Sequence, residues 1–260
     1  MRAWPALLLS GLPVIGAFAD GRGPDWQPLP GGEFRSVLEL KDTPRGVHVA
    51  PFEMTRTPVT NQQFLNFVRT HPRWQRDHAP TALAEQRYLS HWAAPLALGD
   101  KALPGQPVIW VSWFAADAYC KAQGGRLPTW IEWEYAAAAD GTRRDARADP
   151  AWRERILAWY SRPSNTALAA VGREPPNAYG LRDLHGLVWE WTEDHSALLV
   201  SGDNREQGAP DALEFCGAGA LSTADRENYA VLMRVAMLSS LGSADATANL
   251  GFRCARTVQR

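Results

Sequence analysis

The chain has 260 residues, 45% of them hydrophobic, and a formal net charge of -1 from 27 basic and 28 acidic side chains. That size and composition exclude a disordered chain and a disulfide-dense miniprotein, and the balanced charge offers no field to gather nucleic acid or an anionic membrane. Twelve tryptophans, 21 glycines and 19 prolines predict large aromatics packed between many irregular connections, hence a loop-rich fold.

The first residues read as a targeting signal. Arg2 is positive, Ala3 to Ala17 is apolar and small, and Ala17-Phe18-Ala19 has the form of a cleavage site before Asp20. A signal peptide over residues 1–19 is therefore expected, its apolar run being too short for a membrane anchor and interrupted by Pro5 and Pro13. The mature product is expected in the periplasm or outside the cell, with no stable membrane insertion, where disulfides persist.

Trp26 to Phe34 carries Pro28, Pro30, Gly31 and Gly32 and reads as a turn leading to a strand around Val37 to Leu40, with Val47 to Val49 as its partner. Thr60-x-x-Gln63 is a capping box ahead of Phe64, Phe67 and Val68 at helical spacing, which predicts a helix over Asn61 to Thr70. Residues 71–106 show no period and read as a long surface excursion.

After Pro107 to Val111, Ser112 can cap a helix running to Lys121, with Trp113, Ala116 and Cys120 on one face and Gly124-Gly125 beyond its end. Thr129-x-x-Glu132 opens another helix, directing Trp133, Ala136 and Ala137 inward. Asp140 to Glu154 is charged and punctuated, and reads as a solvated loop. A last helix follows Ser222-x-x-Asp225, where Tyr229, Leu232, Met233, Ala236, Met237 and Ser240 define a sulfur-rich face expected to be buried. No repeat or long linker divides the chain, so one domain over residues 26–256 is expected.

The histidines show no metal-spaced pair, and no nucleophile-elbow, phosphate-loop or dinucleotide motif occurs. His185 and His195 flank Trp189-Glu190-Trp191 and read as surface or turn-capping residues; Trp110, Trp113, Trp133, Trp189 and Trp191 read as core.

Seven segments occur in one order: Pro30-Gly31-Gly32-Glu33-Phe34, Pro58 to Phe64, Val111 to Phe114, Gly125 to Glu134, Asn177 to Leu181, Trp189-Glu190-Trp191 and Asn249-Leu250-Gly251-Phe252-Arg253. In these the chain resembles the formylglycine-generating enzyme, or sulfatase-modifying factor, family. The resemblance implies an α+β, loop-rich single domain related to the C-type lectin fold. It also implies a copper-bound cysteine pair that uses dioxygen to oxidise a substrate cysteine, chemistry suited to soft sulfur ligands. Counting back from Asn249 without gaps, Asp225 and Ala230 occupy the two cysteine positions. Neither can act as a thiolate.

Other departures follow from the same resemblance. The Arg-Gly-Gly-Ser-Trp segment has become Cys216-Gly217-Ala218-Gly219-Ala220, and Leu232 and Leu238 stand at two former arginine positions around Arg234. The segment Gly186-Leu187-Val188-Trp189-Glu190-Trp191 matches one that contributes to a calcium site, with Leu187 replacing an asparagine. Glu190 is thus either a calcium ligand or an acceptor in a structural turn. Cys120 and Cys254 match one structural disulfide of the family, while Ala137 and Val235 stand at the two halves of a second.

Cys216 is left over. With Met233 and Met237 it could form a soft-metal site for copper, or it is a buried thiol that fills a core gap. The resemblance is nearest to nitrite-reductase accessory proteins. It implies an exported accessory or maturation factor acting on a protein partner, such as a copper enzyme, without standard formylglycine-generating activity. Two alternatives remain: an oxidoreductase of a protein or peptide substrate with a rearranged copper site, and a lectin-like ligand-binding domain without catalysis.

Overall fold

A computed structural model describes residues 23–36, 46–161, 167–196 and 229–258. The expected signal peptide, the strand around Val37 to Leu40, Cys216 and Asp225 lie outside the described residues.

Among the described residues, short strands form three separate ladders. β1 (Trp26–Leu29), β4 (Phe52–Thr55) and β7 (Ala255–Thr257) make an antiparallel sheet in the order β1-β4-β7. Its register pairs Trp26 with Thr55 and Met54 with Ala255, so β4 bridges the first and last strands described. β2 (Gly32–Phe34) pairs antiparallel with β3 (Val47–Val49). β5 (Trp189–Glu190) pairs parallel with β6 (Leu250–Gly251). The segment read from sequence as a turn, Trp26 to Phe34, is therefore mostly strand. Pro30 and Gly31 make the turn between β1 and β2, and at Gly31, φ +68°, a Cβ would fall 2.2 Å from the Val49 carbonyl oxygen.

The helices start where their caps require. In α1 (Asn61–Thr70) the Thr60 hydroxyl accepts from the Gln63 N–H at 3.2 Å and the Thr60 N–H donates to Gln63 Oε1 at 2.8 Å. Phe64, Leu65, Phe67 and Val68 are buried on this helix. Ser112 caps α2 (Trp113–Ala122) by accepting from the Ala115 N–H. Thr129 and Glu132 form the second capping box, on α3 (Trp130–Ala137), and Arg126 holds Glu132 by two bonds of 2.5 and 2.6 Å. All three helices lie where the sequence places them.

Three expectations change. The 71–106 segment has only a 3₁₀ turn over Pro72–Trp74, yet it is not confined to the surface. Tyr88, Leu89, Trp92 and Ala102 are buried, and Arg76 donates to the carbonyls of Leu89 and Trp92. Satisfying those carbonyls internally lets an irregular segment enter the core. Within the supposed solvated loop, α4 (Pro150–Tyr160) begins behind Asp149, whose carboxylate accepts from the Ala151 N–H at 2.9 Å. Proline suits the first helical position because its missing N–H would have no intrahelical partner there.

The third change concerns α5 (Tyr229–Ser239). Arg234, Val235 and Leu238 are buried, whereas Met233 is 41% exposed and Ala236 and Ser240 face solvent. The helix is turned about one residue from the sulfur-rich orientation expected. Of that face, Met237 is half-buried and packs against the core.

A disulfide joins Cys120 of α2 to Cys254, ahead of β7, with the Cα atoms 5.4 Å apart and both residues fully buried. Ala137 and Val235 are both buried as apolar core residues. Helices and antiparallel ladders share one core cluster, an α+β arrangement with long irregular connections.

Candidate functional site

The first turn of α3, the short strand β5, the buried face of α5 and the segment before β7 converge on a charged, tryptophan-rich cluster. Glu190 is fully buried on β5. Its Oε2 accepts from Trp133 Nε1 and from Arg253 Nε, each at 2.8 Å, and its Oε1 accepts from Arg253 Nη2 at 2.8 Å. Arg253 is also fully buried and gives Nη2 to the Arg182 carbonyl at 2.9 Å. Gly251 closes this corner: a Cβ there would fall 2.6 Å from the Val108 carbonyl oxygen.

Arg234 enters from α5. Its Nη2 donates to the Glu190 carbonyl at 2.7 Å. Its guanidinium carbon lies 3.4 Å from the centroid of the Trp133 ring, with Trp189 and Trp130 at 5.9 and 6.0 Å. A desolvated cation over an indole face gains about 2 kcal/mol or more. The cluster thus holds two fully buried arginines around one glutamate. Glu134, on the next turn of α3, is buried too and accepts from Trp130 Nε1 at 3.1 Å and from the Ser36 hydroxyl at 2.5 Å.

Of the two histidines flanking β5, expected at the surface or capping a turn, His195 is buried, whereas His185 is part-buried and bonds the last carbonyl of α3. His195 is buried between Trp113 and Trp191, its ring 4.8 Å from that of Trp191, with Nε2 3.3 Å from the Ser243 hydroxyl. His185 packs edge-on between Trp133 and Trp152. Its Nε2 lies 2.9 Å from the Ala137 carbonyl, which can only accept, so Nε2 carries the proton. Burial pulls the His185 pKa down to about 4, which leaves the ring neutral. Of the tryptophans read as core, Trp133 and Trp191 are buried, while Trp110, Trp113 and Trp189 are only partly so.

Beside this cluster runs a groove of about 560 Å³ between α4 and the 174–186 segment. Trp152, Ile156 and Trp159 line it from the helix, and Asp183 and His185 from the opposite side. Trp159 packs against Trp189, 5.6 Å between ring centroids, so the groove wall and the arginine cage share an aromatic layer.

With this geometry in view, comparison with known proteins decides the family. Residues 14–258 match the sulfatase-modifying factor enzyme 1-like domain. The chain belongs to that family. It is 31% identical to the inactive C-alpha-formylglycine-generating enzyme 2 of Mus musculus, over 89% of this chain and 85% of that one. It is 32% identical to the formylglycine-generating enzyme of Streptomyces coelicolor, over 87% of each. A hercynine oxygenase of Mycolicibacterium smegmatis is 30% identical over 74% of this chain and 50% of that one. Among solved structures, CarF is similar at a TM-score of 0.46 and 18% identity, over 91% of this chain and 99% of that one.

Within this sulfatase-modifying-factor domain, the metals that the resemblance implies meet the following donors. Ala230 lies in the first turn of α5, and a methyl group donates nothing to copper. Met233 points into solvent and Met237 is half-buried, so the two thioethers of the expected soft-metal set have different surroundings. At Glu190, three of about four lone-pair directions accept N–H donors and the charge is matched by Arg253. That donor environment fits an arginine better than calcium. Among the described residues, no three His, Cys, Asp or Glu side chains come together as a metal-binding group.

Sequence reasoning missed the arginine cage. A signal was present: Arg234 stands alone in the apolar run Val231 to Leu238, and a lone arginine in such a run must be paired or caged if it is buried.

Proposed function

We propose that this chain is an exported accessory factor that assists maturation of a protein partner and does not itself generate formylglycine. The observation that carries this reading is Ala230. It opens α5 at one of the two positions that the family resemblance assigns to the copper-binding cysteines, and the same helix then commits Arg234 to the tryptophan cage. A helix anchored by a fully buried arginine is a poor candidate for rearrangement into a two-thiolate site, because removing that side chain from its cage strands a charge. The likeness to a relative named as inactive is in keeping with the reading.

The partner class that the resemblance suggests is an exported copper enzyme such as a nitrite reductase. In this role the chain's own residues supply a binding surface, and the buried clusters hold that surface rigid. Deleting the chain from its own organism tests the reading. The expected outcome is loss of copper content and activity in the exported nitrite reductase at unchanged transcript level. A fully active, fully metallated reductase in the deletion strain contradicts it.

A further inference from the structure

The groove beside α4 is lined by a buried carboxylate that no cation contacts directly among the described residues. Asp183 is only 5% exposed and lines the groove. Its Oδ2 accepts from the Gly172 N–H at 2.5 Å, but it takes part in no ion pair among the described residues. Burial pushes its carboxyl above the usual range, and the Gly172 N–H, the more distant Arg253 guanidinium and the Glu174 N–H oppose that push without cancelling it. A buried carboxylate without a cation is costly, and native folds normally pair it.

The backbone makes the placement deliberate. Asp183 sits at φ +59° in the left-handed region, a conformation uncommon outside glycine that tends to mark functional positions. The walls around it are aromatic. Trp152 and Trp159 come from one face of α4, and Trp152 packs on the neutral ring of His185. Arg155 is the cation on the same helix that lines the groove, and its side chain is exposed. A buried anion at the base of indole walls selects a flat or compact cation, through charge pairing and cation–π contact together. A volume of about 560 Å³ is in the usual range for sites that enclose one small ligand or one long side chain with its flanks.

We infer that this groove is a binding site for a guanidinium group presented by an extended basic segment of the partner, with Asp183 as the anchor and Trp152 and Trp159 as the walls. The inference rests on the reading of the chain as a factor that engages a protein partner. Guanidinium is favoured over ammonium because its planar face stacks on indoles while its edge reaches a carboxylate in a fork. Arg155 acts as the competing cation at the rim. Its exposure leaves it free to give way when a ligand arginine enters.

The test uses the full mature protein, selectively ¹⁵N-labelled at tryptophan, titrated with the blocked peptide acetyl-Gly-Arg-Gly-amide and with its citrulline analogue. The arginine peptide should shift the Trp152 and Trp159 indole signals in a saturable manner, and the citrulline peptide, neutral but of the same shape, should not. Asp183→Asn keeps the left-handed backbone accessible and should weaken binding at least tenfold. Arg155→Glu, on an exposed position, should tighten it several-fold and serves if the Asp183 variant fails to fold.

Equal binding of citrulline, no change in Arg155→Glu, or indole shifts produced by calcium or by an oligosaccharide in place of the arginine peptide would each overturn the assignment. If the arginine peptide fails while deletion of the chain still abolishes partner maturation, the groove is misassigned and the accessory role stands. If the peptide binds and deletion has no effect on the reductase, the site is real and the partner is another protein.

Discussion

Arg253 and Glu190, 63 residues apart in sequence, meet as a two-point ion pair with neither side chain exposed: Nε to Oε2 and Nη2 to Oε1 are both 2.8 Å. Each belongs to a segment that carries the family resemblance, and together they fasten β5 to the chain end. Such a pair contributes less by existing than it would cost to break, because removing one partner leaves the other charge buried and unmatched.

Glu190→Gln should therefore destabilise the protein by about 3–5 kcal/mol. Replacing both residues, as Glu190→Gln with Arg253→Met, should recover a substantial part of that loss. Urea denaturation of the wild type and of both variants measures it. Equal loss in the single and double variants would show that packing, not charge, governs this corner.

The orientation of α5 has its own consequence. Leu238 is fully buried and Met233 is 41% exposed. Leu238→Ala should cost about 2–5 kcal/mol through cavity formation. Met233→Leu should stay within about 0.5 kcal/mol, as surface substitutions do. Thermal or urea melts of the two variants report this directly, and a reversed order would restore the sulfur-rich face to the interior.

Cys120 and Cys254 close a loop with a sequence separation of 134. The chain-entropy model assigns such a crosslink about 4–5 kcal/mol, and engineered cases often deliver less. Non-reducing peptide mapping should recover these two cysteines in one crosslinked fragment and Cys216 outside it. Cys120→Ala with Cys254→Ala should lower the melting temperature by several degrees. A Cys120–Cys216 crosslink in the map would contradict the structure.

Stability should also fall as pH drops from about 6.5 toward 4. Burial lowers the pKa of His91 and of His185 to about 4, with Arg76 adding to the effect at His91. In the unfolded chain both titrate near 6.5. Between those values the unfolded state binds more protons, so acidification favours it, and each histidine adds up to about 1.4 kcal/mol per pH unit to the slope. Replacing His185 with Gln should flatten the profile in that window. An unchanged slope would mean that His185 is protonated in the folded protein.

What the sequence reveals follows how local each determinant is. α1, α2 and α3 are legible because Thr60, Ser112 and Thr129 sit immediately before apolar residues at helical spacing, and their bonds span three residues. The Asp149-Pro150 start of α4 is equally local, but the surrounding charge masks it as loop. Strands of two to four residues are too short to display alternation, so β1 and β2 read as a turn. α5 is apolar on most of its circumference, and its rotation is set by Trp133 and the Glu190 carbonyl. Both partners lie far away in the sequence. For the same reason the Cys120–Cys254 pairing came from the family resemblance, whereas Asp183 as a groove residue needed the three-dimensional structure.

The central claim is that this family member does not carry out cysteine oxidation. The most direct measurement is a single-turnover reaction of the protein with Cu(I), dioxygen and a sulfatase-type cysteine peptide, read by mass. With Ala230 at a position that the family resemblance assigns to a thiolate, the peptide should leave unmodified, at the level of a metal-free control. Copper-dependent formation of the aldehyde, above that control, would contradict the account.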